Sequence, residues 1–499
     1  MGFYMKIGFD NNKYVTLQSD KIAKRIEQFN NKLYLEFGGK LFDDNHAARV
    51  LPGFLPDSKL KMLLKLKGQL EIVIVISADS IEKNKIRGDL GITYDQELLR
   101  LIDAFRNLDL YVSNVVITRY SGQAAADKFR QKLSSLSIKS YLHYDIEAYP
   151  SNIERIVSDE GFGKNDFIET TRPLVVVTAP GGGSGKMATC LSQLYHEHKR
   201  GITAGYAKFE TFPIWNKPLR HPVNLAYEAA TADLDDINMI DSFHLEAYDT
   251  QAITYNRDAE VFPVLSAIFE KILGYCLYKS PTDMGVNMVG DCIIDDEVCQ
   301  AAAKQEILRR YYQAQYDLKN DRVNKDIIQK LELLMQQALV TKEDRRVVSD
   351  SLLRQEVTGY PAAAIELKTG EIVTGKTSDL LGAMAAALLN SLKILAGIED
   401  DRLLVSPKSI QPIQILKTNY LGSINPRLHT DEILIALSTS ASEDPAARLA
   451  LEQLPKLNGC EAHSTVIMSP VDENIIRRLG LNLTCEPVYE TKRLFHKMA

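Results

Sequence analysis

The stretch that decides the fold is RPLVVVTAPGGGSGKMATCLSQLYHE, residues 172–197. It begins with a run of β-branched residues, "PLVVVTA" at 173–179, which reads as a strand buried on both faces. A glycine-rich turn and a helix over 187–200 follow. Strand, loop and helix in that order form the setting of the phosphate-binding pattern G-x-x-x-x-G-K-[ST]. The match is partial. Pro180 stands at the first glycine, and Met187 stands where the magnesium-binding hydroxyl belongs.

Four glycines, Gly181, Gly182, Gly183 and Gly185, with Ser184 between the last two, let backbone N–H groups turn inward around an anion. The helix adds free N–H groups and the positive end of its dipole. Lys186 supplies a long cationic arm. Thr189 lies two residues past Met187 and completes the expected cofactor-binding set. Expected ligands are ATP or another phosphorylated molecule. Magnesium is admitted as a companion, held by phosphates, water and a carboxylate from another element. Two other readings stay open: a different anion, and a tight turn whose glycines serve packing.

Working outward, strands alternate with helices on both sides of this unit. "LYLEF" (33–37), "EIVIVIS" (71–77), "YVSNVVIT" (111–118), "KSYLHY" (139–144) and "TAGYAKFE" (203–210) read as strands. Helices are expected near 57–67, 95–107, 122–135 and 151–158. The pattern predicts an α/β fold with a parallel sheet layered by helices. The stretch 258–278 and three segments with charged faces between 295 and 356 predict a helical subdomain over 257–360. "AAAIELKTGEIVTGK" then reads as a hairpin, 378–396 as a buried helix and 410–420 as a strand. A second, C-terminal α/β domain is expected over 361–499. The remaining boundaries are 1–170 for an N-terminal α/β domain and 171–256 for the segment with the glycine loop.

Ligands of open parallel sheets collect at the carboxyl ends of the strands. In "GYAKFETFPIWN", Lys208 and Glu210 share one face by alternation. Lys208 is expected to support phosphates and Glu210 to hold magnesium or act on a substrate. With Lys186 and Asp233 they form the expected catalytic set. The segment 221–249 is dense in polar groups, from which His221, Asn224, Asp241 and His244 are expected to contact a small-molecule substrate. "ITYNRDAE" adds Asn256, Arg257 and Asp258, with Arg257 able to clamp a carboxylate or phosphate. Asp283 and Asn287 complete the substrate group. The loop at 38–49, with Gly38, Gly39, Lys40, Asp43, Asp44, His46 and Arg49, is a further candidate wall. Cys460, His463 and Cys485 lack the spacing of a zinc finger and are better read as buried residues.

Composition sets the frame. The 499 residues are 45% apolar and 25% charged with net charge -6, so no basic nucleic-acid footprint is expected. No CxxC, HExxH or GxSxG occurs. The start lacks a signal-peptide core, and the longest apolar runs are interrupted, so a cytoplasmic protein without membrane partners is expected. A homo-oligomer is admitted.

"FNNKLYLEFGGKLFDDNHAARVLPGF", "TAPGGGSGKMATCLSQLYHE", "HPVNLAYEAATADLDDINMIDSFHLEAY" and "GCEAHSTVIMSPVDENIIRRLGLNLTCEP" together resemble a widespread bacterial family of about 500 residues, whose members are mostly named as uncharacterised proteins. The resemblance covers essentially the whole chain. Some members have carried an ATP-dependent peptidase label, for which these residues supply no machinery. The glycine loop is also similar to loops of the dethiobiotin-synthetase and CTP-synthase class. That likeness implies Lys186 and Lys208 as the phosphate-facing lysines. The expected activity is therefore that of a nucleotide-binding enzyme that transfers or hydrolyses phosphate with a small polar substrate. The alternatives are a transferase or hydrolase acting on a phosphorylated metabolite without ATP, and a non-enzymatic, ligand-responsive assembly protein.

Overall fold

Leu174–Thr178 is buried at every position and is the middle strand of a seven-stranded sheet. Across the sheet the order is Gly285–Val286, Gly205–Phe209, Leu33–Phe37, Leu174–Thr178, Leu70–Ser77, Val112–Tyr120 and Lys139–Tyr144. Every pairing in it is parallel. A parallel sheet hidden on both faces explains why the central strands carry apolar runs rather than alternation. The structure, a computed structural model, describes residues 6–39, 41–42, 44–87 and 91–491.

The two faces are distinguished by side-chain parity. On one face the Tyr34 hydroxyl donates to Glu197 of the Lys186–Lys199 helix at 2.6 Å. On the other face Phe37 and Phe209 stack at 4.1 Å, with the Lys59 ammonium 5.8 Å from the Phe209 ring. The α/β class and helical layering expected from the sequence are observed.

The chain divides into two compact units. One takes Ile7–Glu228 and Asp236–Gln300, and the other takes Ala229–Asp235 and the chain from Ala301. The expected boundary at 170 runs through a sheet, because Leu33–Phe37 pairs with both Leu174–Thr178 and Gly205–Phe209. The stretch 257–360 is helical in Asn256–Leu273, Asp296–Lys319, Lys325–Gln337 and Arg346–Thr358, and its residues divide between the units after Gln300.

The second unit carries a four-stranded sheet in the order Ile372–Lys376, Ala362–Glu366, Glu461–Ser464, Asn482–Cys485. The first two strands form the expected hairpin, with Gly370 at φ +82° in its turn. Gly375 lies where any Cβ would overlap the backbone of the Ala383–Ala396 helix, so glycine sets how closely that helix packs. Ala363, Ile365, Leu388, Leu392, Ile433 and Leu437 form part of the core behind this sheet. Residues 410–420, expected as a strand, are helical: Pro407–Ile415 is an α-helix that continues as a π turn over Leu416–Tyr420. Pro407 at the first turn and Ser406 as N-cap favour that outcome over the short apolar alternation. Cys460 and His463 are buried. Among the described residues no helix is long and apolar enough to cross a membrane.

Candidate functional site

The candidate site lies at the carboxyl ends of the middle strands. Glu36 is in register with Val177 on one side and Lys208 on the other. Thr178 ends the central strand, and the glycine loop begins directly after it.

The loop is built by conformations that glycine supplies. Gly183 and Gly185 have φ of +72° and +87°. A side chain on Gly185 would also come within 3.1 Å of Thr118 Oγ1. Thr118 donates to the Ser184 carbonyl at 2.7 Å and fixes the loop to the neighbouring strand end. Ser184 is buried and its hydroxyl donates to the Gly181 carbonyl at 2.8 Å, so it closes the turn and is not presented as a nucleophile. Gly181 approaches the hydroxyl end of Tyr94 so closely that a Cβ would overlap it.

Lys186 opens a 14-residue helix. The backbone N–H groups of Gly182, Gly183, Ser184, Gly185, Lys186 and Met187 have no acceptor among the described residues. The Lys186 side chain is half-buried, and among the described residues it has no ion-pair partner. Thr189 is buried and its hydroxyl donates to the Gly185 carbonyl at 3.0 Å. It is thus a helix-start residue, not a replacement for the missing hydroxyl at 187.

Beside the loop stands a cluster of acids around one lysine. Lys208 Nζ lies 2.6 Å from Glu210 Oε1 and 2.6 Å from Asp258 Oδ1. Asp258 comes from the first turn of the Asn256–Leu273 helix, where its charge also suits the dipole. Glu36 accepts from the Tyr206 hydroxyl at 2.8 Å on the same strand pair. Burial acts to lower the Lys208 pKa, but Glu210 and Asp258 outweigh it and hold the ammonium well above its ordinary value. Burial pushes the Glu210 carboxyl up; Lys208 opposes this, Asp258 and Glu36 add to it, and the result is about 7. One ammonium shared by competing carboxylates leaves a carboxyl that holds its proton near neutrality. The buried Cys190 thiol is pushed up by burial and by Glu36, and is drawn down by Lys186.

The expected substrate residues fall mostly on internal contacts. Asn224 accepts from the Ile214 N–H at 2.7 Å and donates to the Ile214 carbonyl at 3.2 Å. Asn287 donates to the carbonyls of Thr211 and Pro213 at 3.3 and 2.9 Å. Together they clamp the segment that follows Glu210. Asp241 is fully buried, capping the Ser242–Tyr248 helix through the His244 N–H and accepting from Thr282. His221 meets Asp296 at 3.0 Å, and His244 meets the Ser280 hydroxyl at 3.0 Å. Asp283 accepts from the Tyr248 hydroxyl at 2.8 Å. Arg257 pairs with buried Asp236 at 3.2 Å while its own side chain stays 58% exposed, which leaves it the freest cation of the group. Asp233 is exposed, and it belongs to the other unit rather than to the one holding Lys186 and Lys208. Asp44 caps the Asn45–Val50 helix and pairs with Lys59 at 2.7 Å. Lys40 and Asp43 lie outside the described residues.

A family model described as "Domain of unknown function DUF1846, N-terminal" matches residues 7–339, and its C-terminal counterpart matches 343–495. The chain belongs to the DUF1846 family. It is 59% identical over 492 residues to UPF0371 protein SUB1165 of Streptococcus uberis, covering 99% of this chain and 100% of that relative. UPF0371 protein M28_Spy1076 of Streptococcus pyogenes serotype M28 is 57% identical over 491 residues, covering 98% of this chain and 99% of that relative. The two matched regions of the DUF1846 family place the whole parallel sheet in the first and the four-stranded sheet in the second.

Among the described residues of this DUF1846 chain, no three His, Cys, Asp or Glu side chains are placed to hold a metal ion. Sequence reasoning missed Glu36 and Thr118, and it did not pair Asp258 with Lys208. A lone acid inside the buried strand "LYLEF" was the available signal for Glu36, since such a group needs a partner. Thr118 carried no signal, because its role depends on which strands become neighbours.

Proposed function

We propose that this DUF1846 protein is a cytoplasmic enzyme that binds ATP, or another phosphorylated ligand, at the glycine loop. It then transfers or hydrolyses phosphate with a small polar substrate. The observation that carries this reading is the row of unpaired N–H groups from Gly182 to Met187 at the start of a helix, with the unpaired Lys186 beside it. Such a nest stabilises the charge of a phosphoryl group without needing to reorganise. Glu210 follows the strand two places along the sheet from the loop's own strand and is poised to exchange a proton with a bound substrate near neutral pH. Lys208 is held by Glu210 and Asp258, so its work is to position Glu210, and Lys186 is the lysine for the phosphates. Magnesium would arrive on the phosphates.

The test is calorimetric titration of ATP into the wild-type chain and the Lys186→Ala variant. Affinity is expected to fall at least about tenfold, the effect of removing one charge-assisted contact. Equal affinity in the two proteins refutes the reading. A second reading, a phosphorylated metabolite without ATP, is favoured by Met187 and by the commitment of Thr189 to Gly185. Thermal stabilisation by sugar phosphates but not by nucleotides would select it.

A further inference from the structure

The strand Val112–Tyr120 ends beside the glycine loop with one residue out of register. On its outer side Ile117 pairs with Leu142 and Tyr120 with Tyr144, so Thr118 and Arg119 together stand opposite His143 alone. On its inner side the pairing with Leu70–Ser77 stops at Thr118. Arg119 is therefore paired with neither neighbour, and its φ is +52°. Among the described residues it is the only non-glycine residue inside a strand with a left-handed backbone. Bulges of this kind re-aim a side chain and recur next to active sites. For a residue with a Cβ the conformation is strained, and the surroundings must hold it.

The glycine loop reaches towards this residue. It springs from Leu174–Thr178, two places along the sheet from Val112–Tyr120, yet its Ser184 carbonyl accepts from Thr118, the residue directly before Arg119, at 2.7 Å. The Arg119 carbonyl accepts from Gln123 at 3.0 Å. Its side chain is exposed, and among the described residues the guanidinium has no carboxylate or hydrogen-bond partner. Tyr149 marks where that charge lies. Burial and the Glu36 charge push the Tyr149 phenol up, and the Arg119 charge draws it down. Glu36 and Arg119 stand on strands to either side of the loop's own strand. A phenol that feels both lies over the strand ends between them, so the Arg119 charge is turned inward, on the side of the loop.

We propose, resting on the glycine-loop reading above, that Arg119 is a second anion-binding cation of this site and selects a ligand with two linked phosphoryl groups over one with a single phosphate. The loop N–H groups and Lys186 hold one phosphoryl group. The Arg119 guanidinium takes the oxygens of the next, which its planar fork of donors suits. A monophosphate engages the loop and Lys186 alone and gains nothing from Arg119.

The test titrates inorganic phosphate and inorganic pyrophosphate calorimetrically into the full chain and its Lys186→Ala and Arg119→Gln variants, in about 0.15 M salt to screen distant charges. Pyrophosphate is expected to bind the wild type at least about tenfold more tightly than phosphate. Arg119→Gln is expected to weaken pyrophosphate about tenfold and phosphate less than about twofold, while Lys186→Ala weakens both about tenfold. Arg119 has no side-chain partner to lose, so Arg119→Gln is expected to fold, and circular dichroism verifies that. Wild-type pyrophosphate affinity in Arg119→Gln, or an equal loss of both anions there, overturns the inference and leaves the loop as an anion site if Lys186→Ala still weakens both. Binding of neither anion, or no effect of Lys186→Ala, overturns the glycine-loop reading and this inference with it.

Discussion

Glu210→Gln is the sharpest probe of the acid cluster. The Glu210 carboxyl rises from an ordinary value of 4.5 to about 7 on folding, through burial, with Asp258 adding to it. A folded pKa above the unfolded one means that the folded state binds the proton more tightly. That contribution to stability is fully present below pH 4.5 and is lost as pH rises to about 7. The shift corresponds to roughly 3 kcal/mol, at about 1.4 kcal/mol per pH unit. Glutamine mimics the protonated carboxyl and cannot titrate. The wild type should therefore lose about 3 kcal/mol relative to Glu210→Gln between pH 4.5 and pH 7.5. Trp215 is the only tryptophan and lies in the same unit, so its fluorescence follows this unit's unfolding in urea. Melts of both proteins at pH 5 and pH 8 give the difference directly. A pH-independent difference, or a wild type that gains on the variant as pH rises, refutes the reasoning. Either result would mean that the 2.6 Å pairing with Lys208 dominates and that Glu210 is ionised throughout.

Two further substitutions test the scaffold. Arg345 is fully buried and reaches Glu461, Thr484 and the carbonyls of Ala462 and Asn482, so Arg345→Met should destabilise the second unit by about 3–5 kcal/mol. Far-UV circular dichroism in urea measures it, and a change under about 1 kcal/mol contradicts the assignment. Gly185→Ala places a Cβ in the left-handed region and against Thr118, costing about 1–2 kcal/mol in the Trp215 transition; an unchanged midpoint contradicts the loop geometry.

The glycine loop was legible because strand, loop and helix are local signals, and each was present between 172 and 197. Lys208 and Glu210 were found together because alternation along one strand is also local. The choice of Lys208 as a phosphate ligand did not anticipate Asp258, which lies fifty residues away on the Asn256–Leu273 helix and meets Lys208 only in the folded chain. The polar density at 221–249 was real, but its density reflects a different need. The segment folds into short helices and a strand, and its polar side chains cap and tie them: Asp241 caps the Ser242–Tyr248 helix and Asn224 holds the Ile214 backbone. Residues 410–420 read as a strand because a short apolar run does not separate the two periods, and the Ser406–Pro407 helix start settled the matter locally.

Strand order carries a consequence for biogenesis. Leu33–Phe37 emerges first, yet both of its partners lie far downstream, at Leu174–Thr178 and Gly205–Phe209, and the edge strand at Gly285–Val286 comes later still. Contacts of such high sequence separation make folding slow. During synthesis the earliest strand waits with both edges open, exposed to wrong pairing until the central strand leaves the ribosome. The acid cluster cannot form until its last member, Asp258, has been made, and a truncated chain ending before residue 209 would lack Glu210 and the second neighbour of Leu33–Phe37 together.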